Sequence, residues 1–186
     1  MAQHDEVVPY ILEAALAPAE ASKLAGVKLE PAIMKKAAAK MISAHKLTVV
    51  EGVGGISAPL TDNYLVKDFF CDMKLPVIIV VKPLLGNVNH AVLSAYYAQH
   101  EGLKVLGFIV NGWDEENAGV LERSNLYYYE KLTGLPVLGR LPVLNKELLT
   151  GPDMLEAGKI AAENIDIERI YKLLGDGENE QMGRTR

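Results

Sequence analysis

Apolar residues fall into short continuous runs separated by longer stretches with apolar positions three and four apart. The runs are residues 47–50, 75–81, 103–111 and 135–141. Thr48, Val49 and Val50 are β-branched in a row and favour a strand that ends at Glu51. The aliphatic run 75–81 reads as a parallel strand covered on both faces. Helices are predicted over 19–24, closed by Gly26, and over 30–45, where Pro31 suits the first helical position. In the second of these, Met34, Ala38, Met41 and Ile42 form an apolar stripe, and Lys35, Lys36 and Lys40 lie off it as a solvated face. Asp62 can cap a further helix to Met73 with Leu65, Phe69 and Phe70 inward. Later helices are expected over 88–101, from the 112–119 loop to Gly134, and over 153–174.

One strand recurs roughly every thirty residues, with a helix between. That alternation is the mark of βαβ units. The expected fold class is α/β, a mostly parallel sheet with helices on both faces. Residues 1–174 are expected to form a single domain, and 175–186 a polar, disordered tail.

The chain has 186 residues, 49% of them hydrophobic and 23% charged, which is ordinary for a globular protein. A net charge of −5 and the lack of a basic tract argue against sequence-independent nucleic-acid binding, but leave an anionic nucleotide open. The longest apolar run is too short to span a bilayer, and the first residues carry no basic signal-peptide region. One cysteine, Cys71, excludes an internal disulfide and suits a reducing cytoplasm. It sits among apolar residues with no histidine close in sequence, as a packed thiol does.

Three strand ends carry candidate chemistry. Glu51 is followed by Gly52, Val53, Gly54 and Gly55, either a solvated strand–turn junction or a carboxylate for a metal beside a close backbone approach. Gly86, Asn87, Val88 and Asn89 open a helix whose free N–H groups either are simply capped or attract an anion. Asn111 and Gly112 follow the third strand, where an asparagine either makes a turn or offers a donor and an acceptor to a purine edge. His90 is a helix-start residue that caps, packs or acts as a base. A glutamate suits Mg²⁺ better than a histidine does, because that ion prefers hard oxygen donors.

Val49-Val50-Glu51-Gly52-Val53-Gly54-Gly55-Ile56-Ser57-Ala58-Pro59-Leu60 resembles the V-E-G-x-G-G-x-x-x-P-L segment of dethiobiotin synthetases. The resemblance continues through the 75–81 strand and Leu85-Gly86-Asn87-Val88-Asn89-His90. Gly107-Phe108-Ile109-Val110-Asn111 and Pro136-Val137-Leu138-Gly139-Arg140-Leu141-Pro142 complete it, in the right order.

That resemblance implies a P-loop NTPase-like fold and an ATP- and Mg²⁺-dependent cytoplasmic ligase of biotin biosynthesis. Such an enzyme carboxylates 7,8-diaminopelargonic acid with CO₂ and closes the activated carbamate to dethiobiotin. It implies Glu51 as a Mg²⁺ ligand, with Gly52, Val53 and Gly54 beside the phosphates. Asn111, with Gly112 next to it, would contact adenine, and Pro142, Val143 and Leu144 would line the adenine side. Gly86, Asn87, Val88 and Asn89 would hold the substrate carboxylate across a homodimer interface.

The chain departs from that family in lacking the phosphate cradle, the catalytic lysine, and the hydroxyl and aspartate metal ligands. No Gly-x-x-x-x-Gly-Lys-Ser/Thr occurs in the 186 residues, and no lysine matches the family's catalytic one. By resemblance, the phosphate-loop strand lies between the Glu51 strand and the 75–81 strand. The expectation is an incomplete sheet lacking its N-terminal strands, inactive alone or completed by a separate chain carrying the phosphate loop. The alternatives are a non-catalytic dimeric binding or regulatory relic of the family, or a related cobyrinic-acid-type amide ligase.

Overall fold

The computed structural model describes residues 7–145 and 154–183. The chain divides into two compact units, Met1–Leu75 and Pro76–Arg186. The expected helix start at Asp153 and the tail end 184–186 lie outside the described residues.

In the first unit, α1 (Pro18–Ala25) starts on Pro18, whose fixed φ suits a first helical position. It ends where Gly26 takes a left-handed φ of 65° and Val27 N–H donates to the Ser22 carbonyl at 2.9 Å. Helix α2 (Pro31–Ala44) follows the predicted bounds. Met34 and Ala38 pack against a small core of Leu60, Val66 and Phe69, whereas Ile42 is exposed. Lys35 departs from the expected solvated face. Its ammonium meets Asp72 at 2.6 Å, and Tyr64 donates to the same carboxylate at 2.9 Å.

Two expectations fail in this unit. Residues 47–50 form no regular element and join no sheet ladder among the described residues, and Val49 is 86% exposed. β-propensity expresses side-chain fit to a neighbouring strand, and without that neighbour the segment has nothing to pair with. Asp62 does not cap a helix. It lies in the turn between β1 (Pro59–Thr61) and β2 (Tyr64–Leu65), an antiparallel pair, and meets Lys23 at 2.7 Å. Helix α3 (Val66–Asp72) is instead closed by Asp68, which accepts from Leu65 N–H at 2.8 Å. Cys71 is half-buried on α3.

The second unit holds a three-stranded parallel sheet in the order β3 (Val77–Val81), β4 (Val105–Trp113), β5 (Val137–Pro142). Helices α4 (Asn87–His100) and α5 (Val120–Thr133) make the crossovers. Val81, Phe108, Val110 and Trp113 pack with Ala91 and Ala95 of α4 and Tyr129 of α5 in one core. Ile109 and its register partner Gly139 lie one residue out of phase with these and face the other side. There α6 (Met154–Asn164) ends against the strand. A Cβ on Gly139 would stand 2.6 Å from the Asn164 carbonyl and 2.8 Å from Ile165 Cα, so close approach requires glycine here.

Helix α7 (Ile167–Gly183) runs past Leu174, where the sequence reading ended it. A single glycine inside a helix costs about 1 kcal/mol and does not stop one by itself. The double-sided covering expected for 75–81 is also corrected. β3 is the sheet's edge strand, and Val80 is 63% exposed, because cover on that face needs an element the described residues of this unit do not supply.

Candidate nucleotide site

Ligands of open parallel sheets bind beyond the carboxyl ends of the strands, where successive loops part. The second unit has a cleft of about 440 Å³ in that place. Lys82, Pro83 and Leu84 follow β3, Asn111 and Gly112 lie at the end of β4, and Leu141 to Leu144 end β5. Five of the residues named from the sequence therefore meet in one cleft: Asn111, Gly112, Pro142, Val143 and Leu144. Its walls are largely apolar, and Asn111 brings an amide that can both donate and accept.

Asn111 and Gly112 do not follow the strand as expected but belong to it. Asn111 pairs with Leu141 and Trp113 with Pro142, so Gly112 is the extra residue of a β-bulge. Its φ of 81° lies in the left-handed region that glycine tolerates. A sequence pattern of period two cannot reveal an inserted residue, so the strand runs on to Trp113, beyond where the pattern ended it.

Sequence reasoning places a loop after the 75–81 strand but does not assign Lys82, Pro83 or Leu84 to the nucleotide site. It also missed what holds that loop. Asn125, buried on α5, donates its side-chain amide to the Leu84 carbonyl at 3.0 Å. Tyr129, fully buried one turn later, donates to the Lys82 carbonyl at 3.2 Å. Burial pushes the Tyr129 phenol up to about 12, so it stays a neutral donor.

The same loop leads into α4. Gly86 is the N-cap with φ 84°, and no side chain caps the first turn. Asn87 N–H donates to the Leu84 carbonyl at 3.1 Å. Asn89 and His90 are exposed, and Asn87 and Val88 half-buried. The predicted anion residues thus sit at a helix start with its dipole intact.

Glu51, Gly52, Val53 and Gly54 lie in the first unit, in a bend after residues 47–50, with Glu51 and Val53 exposed. Gly52 is tight for a structural reason, since a Cβ there would stand 3.1 Å from Val66 Cγ1. Gly54 has φ 74°. Among the described residues, no group of three or more His, Cys, Asp or Glu could hold a metal ion. Glu51 thus belongs to no such group. It fits Mg²⁺ as one donor to an ion held mostly by phosphate and water, not as part of a protein cage. No helix among the described residues is long and apolar enough to cross a membrane.

The family model described as an AAA domain matches residues 1–150. Among curated proteins, the chain is 39% identical to the ATP-dependent dethiobiotin synthetase BioD of Bacillus velezensis over 142 residues, 76% of this chain and 60% of that protein. It is 37% identical to the protein of the same name from Bacillus subtilis over 141 residues, 76% of this chain and 61% of that one. The Bacillus cereus protein is 36% identical over 178 residues, 95% of this chain and 71% of its own length. The chain thus spans about 60% of the length of the first two relatives. With the Bacillus cereus match reaching across more than two thirds of that protein, and the family model matching residues 1–150, the chain belongs to the dethiobiotin synthetase family.

Proposed function

We propose that these 186 residues supply the nucleobase cleft and the carboxylate-binding helix start of an ATP-dependent dethiobiotin synthetase. The phosphate loop and catalytic lysine would come from outside them. The observation that carries this reading is the cleft that unites Asn111, Gly112, Pro142, Val143 and Leu144. A flat base slides between the Pro83–Leu84 and Pro142–Leu144 walls, and Asn111 reads its edge. The uncapped first turn of α4, with Gly86, Asn87, Val88 and Asn89, takes the carboxylate of diaminopelargonic acid in a homodimer. Glu51 gives one oxygen to Mg²⁺, which when bound neutralises phosphate charge. CO₂ is the carbon source.

The missing phosphate-loop strand fits the free edge of β3. It comes from a preceding segment or a separate chain.

The test is calorimetric titration of the 186-residue chain. Adenosine is expected to bind, ATP little more tightly, and Asn111→Ala to weaken adenosine by about tenfold, the order expected for losing one base-reading group. Unchanged adenosine affinity in Asn111→Ala would remove the purine role. With ATP, Mg²⁺, bicarbonate and diaminopelargonic acid, the chain alone is expected to yield no dethiobiotin, and a polypeptide carrying the phosphate loop to restore it. Product from the chain alone would overturn the requirement for that loop.

The non-catalytic reading draws on the absence, among the described residues, of any group of three or more metal-ligating side chains. It predicts adenosine binding without restoration of activity by any loop-bearing partner.

A further inference from the structure

Beyond the cleft, the end of β4 carries a connected set of side chains that touches none of its lining residues' proposed ligand roles. Trp113 is the chain's single tryptophan and is 4% exposed. Its indole N–H donates to Glu115 at 2.7 Å. Two arginines from different elements meet the same carboxylate, Arg123 at Oε1 and Arg140 at the Oε2 that accepts from the indole. Arg123 of α5 meets it at 2.9 Å and Arg140 of β5 at 3.2 Å. Both guanidinium groups also flank the indole, with their central carbons 6.0 Å and 5.2 Å from the ring centroid. The Trp113 and Arg123 bonds hold the Glu115 carboxyl below its ordinary range, so it is charged at neutral pH.

The placement of this set bears on the bulge. Gly112 breaks the β4–β5 ladder between Asn111 and Trp113, and a bulge re-aims the side chain beside it. The ladder holds both flanks of the bulge, Asn111 on Leu141 and Trp113 on Pro142. The Trp113 flank is held in addition by the burial of its ring and through Glu115.

We propose that Glu115 is a positioning residue for nucleobase recognition. It ties Trp113 to Arg123 and Arg140 and so sets the bulge that aims the Asn111 amide into the cleft. This rests on the reading of that cleft as the purine site. Glu115 touches no ligand itself. It fixes the angle at which Asn111 meets the edge of the base, and therefore selectivity between a 6-amino and a 6-oxo purine.

The experiment uses the full chain and two probes, adenosine and inosine, titrated by Trp113 fluorescence and by calorimetry. The readout is the ratio of the two dissociation constants. Both ligands meet the same folded fraction, so partial unfolding of a variant does not move the ratio. In Glu115→Gln, adenosine affinity is expected to fall about tenfold and the preference over inosine to shrink by about fivefold, the scale of a misplaced positioning contact. Arg140→Gln, which leaves the indole–Glu115 bond in place, is expected to shrink the preference in the same direction by less. Glu116→Gln, on the neighbouring exposed residue, is expected to change neither value.

A wild-type ratio in both Glu115→Gln and Arg140→Gln would overturn the proposal while leaving the cleft reading intact, however far either variant lowers stability. Absence of adenosine binding by the unsubstituted chain would overturn the cleft reading, and this proposal with it.

Discussion

Two apolar runs of similar sequence end differently. Residues 47–50 carry Thr48, Val49 and Val50 and stay unpaired in the first unit. Val77 to Val81 form β3 in the second, laddered to β4 over five register pairs. The difference lies in the neighbours. β3 has β4 beside it and α4 over one face, whereas 47–50 has Val50 packed on the Leu60, Val66 and Phe69 core but no strand beside it among the described residues. The cores follow the same division. The first unit gathers Leu60, Val66 and Phe69, and α2 buries no residue fully. The second gathers seven buried residues around Phe108, Val110 and Tyr129. A strand is a property of a pair, and an apolar tetrapeptide shows only that it is able to join one.

The largest test of that contrast is Phe108→Ala. The ring is fully buried and stacks near Tyr129 at 5.5 Å between centroids, so urea unfolding of the second unit is expected to lose about 3–5 kcal/mol. A loss under about 1 kcal/mol would show that the core described here is loosely packed.

Next is hydrogen exchange. The Val110 amide, inside β4, is expected to exchange at least about a hundredfold more slowly than that of Val49, since protection follows buried ladder structure. Adding a polypeptide that bears the phosphate-loop strand is expected to narrow the gap. Equal protection in the unsupplemented chain would contradict the unpaired 47–50 segment.

A smaller effect belongs to Gly139→Ala. The added methyl meets Asn164 and Ile165, which must shift, and the expected cost is about 1–3 kcal/mol in thermal or urea denaturation. Gly134→Ala meets no atom but is strained by its φ of 70°, so the two glycines separate crowding from backbone strain.

The smallest effect is in pH, and it touches both units. Lys35, then Tyr64, hold Asp72 below its ordinary 3.8, and Trp113 and Arg123 hold Glu115 below its ordinary 4.5. A folded-state pKa below the unfolded one adds stability that is complete above the unfolded value and is lost as pH falls through the folded one. Urea midpoints are therefore expected to be level from these groups at neutral pH and to decline below about 4.5. Both carboxylates are exposed, so the decline is shallow and further flattened by salt. Asp72→Asn is expected to remove the first unit's share of it.

Much of the fold was legible in one dimension. Helix bounds at Gly26, Pro31, Gly102 and Gly134 follow from residues whose backbone preferences are local. The parallel sheet followed from alternation, and Asn111, Gly112, Pro142, Val143 and Leu144 were named from motifs and then found in one cleft. Asp62 was misread because a cap and a hairpin turn favour the same residue, and only pairing of Pro59 with Leu65 distinguishes them.

The sequence by itself determined the local terms: where helices begin and end, which runs are able to be strands, and which strand ends carry an acid, an amide or a glycine. These depend on each residue's own dihedral preferences and polarity. Tertiary structure decided what depends on partners distant along the chain. That includes whether 47–50 pairs, that Gly112 bulges, that Asn125 and Tyr129 hold the cleft's loop, and that Glu115 joins Trp113 to Arg123 and Arg140. Hydrogen bonds and packing across long separations leave no period in the sequence, so no reading of the chain in order reveals them.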